Sequence, residues 1–183
     1  MPATQRYFAF LRAINVGGHT VKMDQLRELF TTLGFANVAT YIASGNVIFE
    51  SPATSATALE SEIERHLQQS LGYEVTTFVR TVGELAAIAG YAPFAAEDHA
   101  HGLYVSFLKA PLSDDVQQKL LALRTETDDF HVYGREFYWL CRTRLSESPL
   151  FSGTLLAKTV GMPSTIRNVT TVKKLAAKYA MPQ

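Results

Sequence analysis

Hydrophobic positions along the chain switch between a spacing of two and a spacing of three to four, and each switch marks a change of element. Residues 6–12 read as a buried strand through Tyr7, Phe8, Phe10 and Leu11, followed by a polar loop over 15–22. Asp24 is placed as the N-cap of a helix carrying Leu26, Leu29, Phe30 and Leu33, which Gly34 ends in a left-handed C′ position. Two β-rich runs, 38–44 and 47–50, flank Gly45-Asn46, a pair suited to a primed two-residue turn. Leu59, Ile63 and Leu67 mark a helix that stops at Gly72, and 74–80 alternates as a strand with Val75, Thr77 and Val79 on one side. The first half therefore reads β-α-β-β-α-β, the ferredoxin-like order.

Thr81 and Glu84 form a capping box before a short helix that ends near Gly90. The stretch 91–102, with Pro93 and an acidic, histidine-containing patch, reads as a linker between one half at 1–90 and another at 103–183. Past it, 103–108 is a strand, and Ser113 caps a helix bearing Val116, Leu120 and Leu123. Residues 130–133 pair with 136–141 across Gly134-Arg135. A helix is expected over 150–160, and Thr171 is expected to start the last one. The second half is thus a decorated β-α-β-β-α-α relative of the first, and the fold class is α+β.

Composition adds exclusions. The 183 residues carry 17 basic and 17 acidic side chains and are 47% apolar, which suits a globular domain and argues against a disordered tail. Cys141 is the only cysteine, so disulfide scaffolds and zinc ribbons are ruled out, and a reducing, cytoplasmic home is expected. No apolar run is long enough for a signal sequence or a membrane span, so no membrane association is expected. The charge is nonetheless uneven. Residues 1–23 carry Arg6, Arg12 and Lys22 with no acid, and 148–183 carry Lys158, Arg167, Lys173, Lys174 and Lys178 with no acid. If the ends meet in the fold, they create a field that favours phosphate and carboxylate ligands.

Three segments are richer in glycine and polar residues than a connection needs. The first, 11–19, leaves a strand through Arg12 and Asn15 to Gly17-Gly18, where positive φ lets backbone N–H groups converge on an anion. It matches neither the Walker loop nor the dinucleotide fingerprint. The second, 40–46, holds Tyr41, Ser44 and Asn46. The third, 165–174, combines Arg167, Asn168 and Thr171 at a helix start, a set able to grip an anion.

Their order and spacing resemble the bacterial DUF1697 family of uncharacterised proteins. Its pattern runs L-R-G-I-N-V-G-G, then T-Y-I-x-S-G-N, then T-x-R-N before a Leu-bearing helix. Ala13 stands where the family usually has Gly, Ala43 where Gln is common, and Val169-Thr170 where an aromatic and Asn are common. The resemblance implies an α+β fold with ferredoxin-like halves and carries no established reaction.

Weaker candidates have simpler explanations. Asp98, His99 and His101 sit in an acidic linker and read as solvated rather than metal-binding, so no metal site is expected. Cys141 lies in an aromatic strand as an inert thiol. Ser44 with His19 lacks a third orienting group for hydrolysis.

The expectation is a binding protein for a small anionic ligand, a nucleotide or another phosphate-bearing molecule, in a cleft between the halves. Arg12 and Arg167 supply charge, Gly17 and Gly18 supply backbone donors, and Asn15, Tyr41, Ser44, Asn46, Asn168 and Thr171 orient the ligand. No cofactor is implied. The alternatives are an RNA-binding module using an open sheet face, disfavoured by the absent ribonucleoprotein signature and zero net charge, and an interaction protein without a ligand.

Overall fold

The computed structural model describes residues 3–15, 17–42, 45–95 and 102–179. Strand β1 (Gln5–Leu11) alternates its side chains between two faces, and both faces are buried. Tyr7, Ala9 and Leu11 point into a core that includes Leu26 and Phe30 of α1 (Met23–Thr32) and Leu59, Ile63 and Leu67 of α2 (Ala56–Leu71). Phe8 and Phe10 point the other way. They are joined there by Ile48 of β3 (Asn46–Ser51) and by Phe78 and Arg80 of β4 (Thr77–Thr81), each no more than 2% exposed. An RNA platform of the open-sheet kind needs exposed aromatics on that face, and β1 leaves none.

With β2 (Ala36–Thr40), these strands form an antiparallel sheet in the order β2-β3-β1-β4. Phe35 stacks on Phe49 at 4.4 Å and Phe30 packs against both, closing the core over the sheet. Each fully buried ring of this kind contributes about 2–3 kcal/mol.

Chain geometry divides the molecule into two compact units, Met1–Ala87 with Leu175–Gln183, and Ile88–Lys174. Helix α3 (Val82–Gly90) spans the division in the chain, and the expected capping box starts it: Thr81 N donates to Glu84 Oε2 at 2.9 Å and Glu84 N to Thr81 Oγ1 at 3.2 Å. The second unit holds β5 (Leu103–Leu108), α4 (Asp114–Leu121), β6 (Asp128–Tyr133), β7 (Glu136–Cys141), α5 (Thr154–Val160) and β8 (Ser164–Asn168). Its sheet runs β6-β7-β5-β8, antiparallel throughout. Helix α6 (Val169–Tyr179) starts in this unit and ends in the first.

Several expectations change. Two consecutive helices are expected at the end of the chain, whereas β8 intervenes between α5 and α6. That strand carries no hydrophobic signal in the sequence because its alternation is inverted: Thr165 and Arg167 are buried and Ile166 is 39% exposed. Helix α5 begins at Thr154 rather than 150, and α6 at Val169 rather than Thr171. Asp24 is not an N-cap. Lys22 holds that position without a side-chain bond, and Asp24, the second residue of the helix, pairs with Arg27. The connection 41–45 replaces the two-residue turn, because Asn46 already belongs to β3.

The two units repeat one another strand for strand. Leu11 N donates to Gly45 O at 2.9 Å, and Leu108 N donates to Arg135 O at 2.9 Å. Phe8 pairs with Arg80, and Val105 pairs with Arg167. Both arginines are buried and each turns Nη1 back to the carbonyl of the preceding residue, Val79 at 3.0 Å and Ile166 at 2.8 Å. Asn46 and Glu136, both buried, open the matching strands β3 and β7 opposite Phe10 and Phe107.

Candidate functional site

In the first unit, the segments 11–19 and 40–46 meet at one end of the sheet. The Leu11–Gly45 bond joins them, and Arg12 N donates to Thr76 O at 2.9 Å, so the loop after β1 is held between the starts of β3 and β4. Gly45 has φ +83, and a Cβ there would stand 3.0 Å from Leu11 Cβ and 3.1 Å from Ile14 Cγ2. Only glycine fits both the dihedral and the space.

Asn15 Oδ1 accepts from Val21 N at 2.7 Å, which closes the loop on itself. Tyr73 donates its hydroxyl to Ile14 O at 2.9 Å, burial raises its pKa, and its ring stacks on His19 at 3.9 Å. Between these anchors Gly17 and Gly18, with φ +63 and +84, are exposed, as is the Arg12 side chain. Arg12 has no side-chain bonding partner among the described residues.

The second segment is also tied internally. Tyr41 N donates to Asn46 O at 3.0 Å, and Asn46 Nδ2 donates back to Tyr41 O at 2.8 Å. Ile42, 53% exposed, sits at φ +62, a conformation a β-branched residue rarely adopts. The half-buried Tyr41 ring lies 5.9 Å from Lys178 Nζ of α6, within cation–π reach. Arg6 binds the C-terminal carbonyl of that helix, Tyr179 O, at 2.8 Å and Glu50 at 3.1 Å. Ser44 lies outside the described residues, as do Asp98, His99 and His101.

The third segment belongs to the second unit. Arg167 is 8% exposed and gives Nη1 to Thr165 Oγ1 and to Ile166 O, both at 2.8 Å. Burial holds its guanidinium down to about 10. Asn168 Oδ1 accepts from Thr170 N at 2.8 Å and so caps α6, while Thr171 is half-buried in the first turn. Of the expected ligand-facing set, then, Asn15, Asn46, Arg167 and Asn168 bond to their own chain. Arg12, Gly17 and Gly18 remain open to solvent.

Sequence reasoning missed Arg80, although a single arginine alternating with Phe78 in an apolar strand is a readable sign of a buried cation. It also missed Asp128, fully buried, whose Oδ1 accepts from Trp139 Nε1 at 2.8 Å and Ser148 Oγ at 2.9 Å. Oδ2 of the same carboxylate accepts from Thr125 and Thr127 hydroxyls at 3.2 and 3.0 Å. Nothing in the spacing of those five residues announces their convergence.

A cavity of about 310 Å3 lies beside α2 and the start of β4, lined by Ser61, Glu64, Arg65, Gln68 and Glu74 to Thr76. No group of three or more His, Cys, Asp or Glu able to hold a metal exists among the described residues. No helix among them is long and apolar enough to cross a membrane.

Comparison with known proteins fits this α+β architecture. A solved structure of a conserved bacterial protein from Streptococcus pneumoniae is similar with a TM-score of 0.70 and 24% identity, over 96% of this chain and 98% of that one. No curated protein matches. The family model described as protein of unknown function (DUF1697) matches residues 4–138, a span that includes the first two segments and stops short of the third. The chain belongs to the DUF1697 family.

Proposed function

We propose that the protein binds a small anionic, phosphate-bearing ligand at the loop end of the first unit. In this reading both units are ferredoxin-like, and the second serves as an internal control for what the fold requires. It joins its first strand to the following helix with five residues (109–113), and its next two strands with two (134–135). The first unit uses eleven (12–22) and five (41–45) at the same places. The same backbone lock closes both, so the added residues are not needed to form the turns, and they are the ones that carry Arg12, Gly17, Gly18 and Tyr41. That surplus, concentrated where the two segments touch, is the observation that carries the reading. Arg12 supplies a charge-assisted donor, Gly17 and Gly18 supply backbone amides, and Asn15 and Asn46 keep the loops in shape.

Thermal shift with inorganic phosphate, nucleotides and sugar phosphates tests it. A ligand at a hundred times its Kd adds about 2.7 kcal/mol, or about 5–10 °C for a chain of this size. Arg12→Ala should abolish most of that gain. Stabilisation by no anion, or equal stabilisation of Arg12→Ala, rejects the reading. It would favour the second one, an interaction protein without a ligand, which the internal bonding of Asn15, Asn46, Arg167 and Asn168 supports.

A further inference from the structure

Each four-stranded sheet ends in two edge strands, and an edge with free amides is a template for another strand. Among the described residues, three of the four edges carry their own block. On β4, the outward amides of Thr77, Val79 and Thr81 donate to Glu64 Oε1, Glu60 Oε1 and Glu84 Oε2 at 3.0, 3.0 and 2.9 Å. On β6, the outward amides of Asp128 and Phe130 donate to Thr125 Oγ1 at 3.0 Å and Asp129 Oδ1 at 2.8 Å. Strand β2 is interrupted by a register shift between Ala36 and Ala39, with Asn37 at φ +50.

Strand β8 has none of these devices. Its Thr165 and Arg167 bond toward β5, so Ser164, Ile166 and Asn168 turn their amides outward. No side chain among the described residues accepts from those three amides, and no charge stands at any of the three positions. The helices that precede the two edge strands in the chain differ. In the first unit the sixteen-residue α2 brings Glu60 and Glu64 to the edge, whereas α5 has seven residues and no acid. Ile166 is left 39% exposed at the centre of the strand.

We infer that β8 is a self-association edge, at which two copies of this chain pair antiparallel about a two-fold axis through Ile166. The pattern is self-complementary: Ile166 meets Ile166 of the second copy, and Ser164 meets Asn168, with no like charges opposed. Zero formal net charge removes long-range repulsion between copies. A five-residue strand buries less than a standard interface, so the dimer is weak. The inference is independent of the anion-binding reading.

Sedimentation of the full chain over low to high micromolar concentrations should show a reversible monomer–dimer equilibrium. Ile166→Lys should raise the dimer Kd at least tenfold. Hydrogen exchange of the unmodified chain supplies a second measurement: the amides of Ser164, Ile166 and Asn168 should slow as concentration rises. A chain that stays monomeric throughout, a dimer indifferent to Ile166→Lys, or exchange at these amides that ignores concentration overturns the inference.

Discussion

The Leu11 amide donates to the Gly45 carbonyl at 2.9 Å, and Gly45 sits so close that a methyl group in place of its hydrogen would stand 3.0 Å from Leu11 Cβ. The first two segments are thereby a single structural object rather than two loops that share an end of the sheet. Gly45→Ala should destabilise the protein by about 2 kcal/mol or more. The left-handed dihedral contributes about 1–2 kcal/mol and overpacking adds to it. A urea midpoint that matches the unmodified chain would show that the loop yields without cost. At Gly18, by contrast, nothing lies within 4 Å of a built Cβ, so Gly18→Ala should cost the dihedral less the entropy that alanine removes from the unfolded chain, a net of about 0.5–1 kcal/mol.

Ala13 offers the opposite case. It holds φ +58 at an exposed position of the same loop, where the family pattern usually has glycine. Ala13→Gly removes the steric cost of the left-handed region and adds backbone entropy to the unfolded chain. The first effect is the larger by about 0.5–1 kcal/mol, so the variant should be more stable, with a higher denaturation midpoint and an unchanged m-value. A lower midpoint would mean that other contacts of the loop depend on the methyl group.

Elements whose buried residues are their apolar ones were legible in the sequence: β1, an apolar run buried on both faces, α2, the capping box at Thr81 and Glu84, and the hairpin at Gly134-Arg135 all follow from hydrophobic pattern and turn chemistry. Strand β8 was not, since it buries Thr165 and Arg167 and exposes Ile166, the reverse of what hydrophobicity signals. The same inversion made Arg167 look like a free anion-gripping fork. Gly45 beside it makes Asn46 look like a turn residue, yet Asn46 is buried in β3 and its amide bonds to Tyr41 O. The tie between Leu11 and Gly45 is a long-range backbone contact, which no local spacing encodes.

Asp128 gathers four donors from β7, from the turn before β6, and from Ser148 beyond a 3-10 turn at Leu145–Glu147. Asp128→Ala strands the Trp139 and Ser148 donors in the core, a loss of about 2–6 kcal/mol at about 1–3 kcal/mol for each buried donor left unpaired. Trp139 is the single tryptophan, so its fluorescence reads this site alone. Asp128→Ala should shift the emission, whereas Asp128→Asn, which keeps an acceptor at Oδ1, should shift it less and retain more stability. Equal losses from the two variants would mean that the charge, and not the hydrogen-bond geometry, governs the site.

Glu50 connects strand β3 to the end of α6 through Arg6, which bridges the Glu50 carboxylate and Tyr179 O. Its carboxyl is held below the ordinary 4.5, first by the 2.9 Å bond from Asn37 Nδ2 and then by Arg6. The folded state therefore binds fewer protons than the unfolded chain between the lowered value and 4.5. The stabilisation is complete above 4.5 and disappears as pH falls through the lowered value. Glu50→Gln keeps an acceptor for both partners but cannot titrate. Its urea midpoint, followed from neutral pH down through the carboxylate range, should start below that of the unmodified chain and fall less steeply on the acid side. The side chain is 20% exposed, so solvent screens part of the effect and the two curves should converge rather than cross widely. Parallel curves at every pH would show that Arg6 and Asn37 recognise the oxygen atoms of Glu50 and not its charge.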